Sequence, residues 1–329
     1  LQQYIRPQAA VLVRSTRDLD ASLRAYCADP ASAPLRDSLD TRLREVASAW
    51  AGMEFLRFGP LVEQNRLEQF FFWPDPRGVM QRQMRALFNA GDAALFEAQQ
   101  LRAQSVAVQG LPALEYALHA DDARALIAGG SDAGRYRCAY SSAIAANLAR
   151  LAGEIDAGWS PRSAVATELA HPAADNDLYR SSGEVATEVL KALSTALHVA
   201  RDQKLQPALA EDAASARGTL LPLYRSGLTA AFLAAHAEAL QRFVAAAAFE
   251  ASLPEDSKWI DSNLRDELQR VRQDFAELTM PADRAVGDAD ERELLVHAAL
   301  LLSNARAIVD EYLAPALDVN LGFNSLDGD

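Results

Sequence analysis

Acids and arginines set among helix breakers mark two short segments of this 329-residue chain as places where chemistry could be done. The first holds Glu54, then Arg57-Phe58-Gly59-Pro60, Asn65-Arg66 and Phe70-Phe71-Phe72-Trp73-Pro74-Asp75-Pro76-Arg77-Gly78. Proline has no amide donor and a fixed φ, so helices stop here. The run of aromatics calls for burial. The expected product is a rigid turn bearing Arg57, Arg66, Asp75 and Arg77. It reads either as a structural corner held by ion pairs or as one wall of a ligand cleft.

The second segment is Gln109-Gly110-Leu111-Pro112-Ala113-Leu114-Glu115-Tyr116. Gly110 and Pro112 predict a kink, or a break with restart in which Pro112 takes the first position of the new turn. Glu115 then follows on the same face as Pro112, amid Leu111, Leu114 and Leu118. A carboxylate in such surroundings is a candidate for an altered pKa or for holding a cation. His119 stands four residues further on and can meet Glu115 on a helix. The two are the candidate metal ligands, for iron or another divalent cation. Two ligands fall short of catalytic zinc, which takes three from the protein.

A third stretch, Tyr224-Arg225-Ser226-Gly227-Leu228, echoes Leu56-Arg57-Phe58-Gly59-Pro60. The expected binding residues are therefore Glu54, Arg57, Asp75, Glu115, Tyr116, Arg137 and Arg225. Glu115 is the central acid. Arg57 and Arg225 are its cationic partners or anion clamps, and Asp75 is a carboxylate that fixes a turn. Tyr116 and Arg137 are neighbours. The geometric expectation is that the broken helix at Pro112 delivers Glu115 into one hollow with the corner that starts at Arg57. No catalytic residue is assigned. The chain has no His-Glu-x-x-His, no Gly-x-Ser-x-Gly, no Gly-x-Gly-x-x-Gly and no Walker loop. His171, His198, His236 and His297 lack ligand spacing and read as structural.

The elements that must position these residues are helices. Leu294, Ala298, Leu301, Ala305, Ile308 and Tyr312 step by three or four, as do Leu228, Phe232, Ala235, Leu240 and Phe243. Nothing comparable alternates with period two. Helices are predicted over 7–28, 34–56, 62–72, 78–90, 97–119, 133–158, 175–202, 222–250, 255–278 and 288–313. The polar, proline-bearing stretch 159–176 is the candidate junction between an N-terminal bundle, 1–160, and a C-terminal one, 161–329.

Composition agrees with an all-α chain. Half of the residues are hydrophobic but only 7% are aromatic, and alanine, the best helix former, dominates. A net charge of −13 argues against nucleic acid as a partner. No apolar run is long enough to span a bilayer. Cys27 and Cys138 cannot form a disulfide scaffold or a four-cysteine zinc site. Free thiols are the favoured reading, with a single bridge open in an oxidising compartment.

Taken in order, Arg57-Phe58-Gly59-Pro60, Phe72-Trp73-Pro74-Asp75, Gly110 to Tyr116 and the closing Gly322-Phe323-Asn324-Ser325-Leu326-Asp327-Gly328-Asp329 resemble the imelysin-like family. That family includes insulin-cleaving membrane proteins and iron-regulated periplasmic proteins. The resemblance implies a two-lobed, duplicated helical bundle with a docked tail. It also implies a periplasmic or outer-surface location, often as a lipoprotein, and a link to iron uptake. The family motif is Gly-x-His-x-x-Glu. Gly110 and Glu115 match it, whereas Pro112 occupies the histidine position and can neither hold a metal nor share a proton.

These readings lead to a binding or accessory protein in iron or metal uptake, with a metal ion or small ligand near the junction of the bundles. The alternatives are a metallopeptidase, which Pro112 disfavours, and a scaffold that docks an envelope protein or a haem partner.

Overall fold

The computed structural model describes residues 2–120 and 122–321. The expected docking of the tail beyond residue 321 lies outside them. Every regular element among the described residues is helical. The longer ones are α1 (Gln2–Ala28), α2 (Ala33–Ala51), α3 (Val79–Ala90), α4 (Leu111–His119), α5 (Asp132–Gly158), α6 (Ser182–His198), α7 (Thr229–Ala247), α8 (Trp259–Glu277) and α9 (Glu291–Ala307).

Helix α1 packs against α2 and α5, and α4 against α5. In the second half, α7 packs on α8, α8 on α9, and α9 on α6. The halves meet where α2 lies against α7. Both helices bury alanines, Ala47, Ala49 and Ala51 on α2 and Ala237 and Ala239 on α7.

Several predicted boundaries shift, with 175–202 starting only at Ser182 and 222–250 at Thr229, and two departures bear on the site, the second at the break expected near Pro112. The expected helix 34–56 ends at Ala51, and Met53 to Phe58 turn back through short-range bonds such as Leu56 N–H to Met53 O, 3.0 Å. The expected helix 97–119 is broken: a short turn of helix covers Ala98–Arg102, and α4 restarts at Leu111, with Gly110 just before it. Pro112 is the second residue of α4, one place later than expected, where its missing N–H still costs nothing.

Helices α6 and α9 each run on into a π-helical segment, Val199–Leu205 and Ile308–Leu313. In α9 the core stripe is Leu295, Ala298, Leu302, Ala305, Val309 and Leu313, while Tyr312, expected inside, is nearly half exposed.

Cys27 and Cys138 form a disulfide that ties the end of α1 to α5. The expectation of free thiols is thereby corrected. Helical packing of α1 on α5 brings the two Cα atoms to 5.7 Å, across 111 residues of sequence.

Candidate functional site

Glu115 points into the seam between the halves. It is 2% exposed, and its Oε1 accepts two hydrogen bonds from Ser226, from the N–H and from the hydroxyl, each 2.8 Å. Two glycines make this meeting possible. A Cβ on Gly110 would lie 2.7 Å from the Phe70 carbonyl oxygen, so only glycine lets α4 start against that backbone. Gly227 adopts φ +67°, which closes the turn from Tyr224 and presents Ser226. Burial pushes the Glu115 carboxyl above its ordinary range, against the opposing pull of Ser226, Arg225 and His119.

Arg225 lies beside this bond. Its guanidinium sits 5.0 Å from the centre of the Tyr116 ring and 4.4 Å from that of Tyr224, and Nη2 donates to Gln81 Oε1 at 3.2 Å. The Tyr116 hydroxyl accepts from Arg85 Nε at 3.3 Å. Arg137 packs over Phe88 at 4.6 Å and pairs with Asp122 at 3.0 Å. It reaches Tyr116 only through the Phe88 ring that stacks on it.

Glu54 and Arg57 belong to a second cluster. Glu54, in the turn after α2, forms a buried ion pair with Lys204 from the π segment. His236 of α7 places Nδ1 3.2 Å from Glu54 Oε1, although neither of its ring nitrogens makes a hydrogen bond. Burial opposes the Glu54 charge, but Lys204 and His236 override it and hold the carboxyl at about 2. Burial pushes the Lys204 ammonium down, with Glu54 working against that shift and Arg57 adding to it. The ammonium lies 4.6 Å from the centre of the Phe232 ring, which stacks on Phe71.

The expected single hollow shared by Glu115 and Arg57 is therefore replaced by two clusters. The charged neighbours of Glu115 are Arg225 and His119, while Arg57 acts on Lys204. The physical reason is the early end of α2, which turns Glu54 and Arg57 toward the π segment instead of toward α4. Asp75 is elsewhere again. Its two oxygens accept from Val79 N–H at 2.8 Å and Met80 N–H at 2.9 Å, and so cap α3. Phe70 and Phe71 are buried and Phe72 and Trp73 partly so, which favours the corner reading of that segment.

His119 is engaged by Arg36 and Asp40, and among the described residues the structure shows no metal-ligand pairing of it with Glu115. Its ring nitrogens lie 3.0 and 3.2 Å from Arg36 Nη2, and Nε2 is 3.4 Å from Asp40. Burial works against the Asp40 charge, but hydrogen bonds from His119 and Arg36 hold its carboxyl below the ordinary range. No group of three or more His, Cys, Asp or Glu suited to a metal occurs among the described residues. Beside this cluster a cleft of about 440 Å³ opens, lined by Arg36, Asp40, Arg44, His119, Arg124 and Ser226 among others. Ser226 thus has the buried acid on one side and the cleft on the other.

Sequence reasoning missed Lys204, His236 and the arginines of the cleft. Lys204 carried one weak signal: it is one of only three lysines, with Lys191 and Lys258. Of the cleft arginines, Arg36 and Arg44 flank Asp40 on α2 at steps of four, a helical spacing present in the sequence, whereas Arg124 comes from the short helix Ala123–Ala128.

Such an arrangement, an all-helical chain whose halves are joined by an acid from one and a Ser-Gly turn from the other, defines a helical protein with a ligand-sized cleft at its seam. The family model for imelysin matches residues 5–309, and the chain belongs to the imelysin family. An imelysin-like protein from Psychrobacter arcticum 273-4 superposes with a TM-score of 0.79 at 22% identity, covering 98% of this chain and 94% of that one. A "putative iron-regulated protein A precursor" from Parabacteroides distasonis ATCC 8503 superposes with a TM-score of 0.71 at 12% identity, covering 93% and 91%. Among curated proteins none matches the chain significantly.

Proposed function

We propose that this imelysin-family chain is a binding or accessory protein of iron or other metal acquisition in the cell envelope, and that its ligand sits at the seam beside Ser226. The observation that carries the reading is the Glu115–Ser226 bond: the matched part of the family motif is spent on shaping the wall of an open cleft. The iron-regulated designation of the Parabacteroides relative supports the metal link. The Cys27–Cys138 bridge suits an oxidising compartment such as the periplasm. No helix of the described residues is long and apolar enough to cross a membrane; a lipid anchor is what the family resemblance implies.

The peptidase reading draws no support from the site. Pro112 stands at the motif histidine and Glu115 is committed to Ser226. The test is metal analysis of gently purified protein, together with calorimetric titration with ferric, ferrous, calcium and zinc ions and with ferric citrate. Retained metal, or saturable binding of any of these, supports the reading. No metal and no heat in every titration contradicts it.

A further inference from the structure

We infer that the cleft beside Ser226 is a site for a small multivalent oxyanion, one that carries two or more negatively charged carboxylate or phosphate oxygens. The inference rests on the reading of the seam as a ligand site, but not on any metal being bound there.

Its basis is a local inversion of charge. The chain as a whole carries −13 with histidines counted neutral, yet on the same count the charged side chains that line the cleft are Arg36, Arg44 and Arg124 against a single acid, Asp40. Asp40 is already used. Arg36 holds it at 2.9 Å and also donates to the Leu118 carbonyl at 3.3 Å, which covers the negative end of α4. Arg36 and Asp40 therefore cancel within the wall. Arg44 and Arg124 remain, exposed, and among the described residues neither makes a hydrogen bond or an ion pair. Two guanidinium groups without carboxylate partners across a concave surface are suited to oxyanions, because each planar fork can donate two parallel hydrogen bonds to one carboxylate or phosphate.

The floor of the cleft agrees with this sign. Leu228, which lines it, is the residue from which the 19-residue helix α7 starts, and no side chain caps that start. The positive end of a long helix therefore adds to the arginines. A volume of about 440 Å³ admits a molecule of the size of citrate or a phosphorylated metabolite. A bare cation fits poorly, since it would face this net positive lining. A metal reaching the cleft would come as an anionic chelate with its own donor atoms.

The experiment is calorimetric titration of metal-free protein with citrate and, separately, with inorganic phosphate at low and high salt. It is repeated on Arg44→Glu, Arg124→Glu and, as a control, Arg270→Glu, which does not line the cleft. All three arginines are exposed, and circular dichroism checks that each variant folds. Saturable one-to-one binding of either anion is expected, weakened about tenfold or more by each cleft reversal, weakened by salt, and unchanged in the control. Which of the two anions binds identifies a polycarboxylate or a phosphoryl ligand. No binding of either anion at millimolar concentration, or binding indifferent to both cleft reversals, overturns the inference. Metal binding without oxyanion binding also overturns it and leaves the proposed metal role standing. Oxyanion binding by a protein that takes metal in no form does the reverse.

Discussion

Glu115 and Ser226 are 111 residues apart in sequence, and the two 2.8 Å bonds between them join the first half of the chain to the second. The serine hydroxyl is one of two donors to a buried carboxylate, so its removal leaves that acid under-satisfied. Ser226→Ala is expected to lower unfolding free energy by about 1–3 kcal/mol, with the backbone N–H retained. Urea denaturation followed by circular dichroism measures it, and an unchanged midpoint would show that the bond contributes nothing.

The raised carboxyl of Glu115 gives a pH signature. A group that binds its proton more tightly in the folded state stabilises the fold at low pH, and that contribution is lost as pH rises through the raised value. Glu115→Gln mimics the protonated acid and keeps an oxygen for Ser226. The variant is expected to gain stability relative to wild type as pH rises from about 4 to neutrality. A constant difference across that range would remove the assignment.

Glu54 has the opposite sign. Its carboxyl is held at about 2, below the ordinary value of 4.5, so its contribution is present above that ordinary value and is lost as pH falls toward 2. Removing one member of a buried ion pair strands the other. Glu54→Gln and Lys204→Met are each expected to cost about 3–5 kcal/mol, and the double variant less than the sum of the two. A double-mutant cycle by urea denaturation checks this; strict additivity would mean that the two side chains are uncoupled.

Gly110 tests the fit of α4 against the corner. Gly110→Ala would place a methyl 2.7 Å from Phe70 O and 2.8 Å from Gln69 O, both backbone atoms that cannot swing aside. A loss of about 1–3 kcal/mol is expected, read from the thermal midpoint. Wild-type stability in this variant would indicate that the two backbones are further apart than described.

Reduction of Cys27–Cys138 opens a tether across 111 residues. A cross-link over a loop of that length contributes about 2–5 kcal/mol. The thermal midpoint is expected to fall on adding reductant, and the Cys27→Ser, Cys138→Ser double variant should be as unstable as the reduced protein and insensitive to reductant.

The helices were readable because their apolar residues repeat every three or four positions, and the break near Pro112 because proline and glycine act locally. What sequence could not supply was the partner of each charged residue. Glu54 and Glu115 looked alike as acids beside helix ends. The point at which α2 stops decides that one meets Lys204 and the other Ser226. Leu294 and Tyr312 each stand one position before a residue of the buried stripe of Leu295, Leu302, Val309 and Leu313, a one-residue phase that stepping by three or four does not fix. Arg36, Asp40 and Arg44 repeat every four residues on α2 and share a face, a pattern present in the sequence, but Arg124, on Ala123–Ala128, joins them only through packing near the end of α4, a relation with no linear pattern.

The most direct measurement is a crystal grown with ferric citrate, with diffraction recorded on both sides of the iron absorption edge. An anomalous peak is expected inside the cleft, with the chelate's carboxylates against Arg44 and Arg124 and its body beside Ser226. A peak confined to another part of the molecule, or a fully ordered cleft with no iron at saturating chelate, would contradict it.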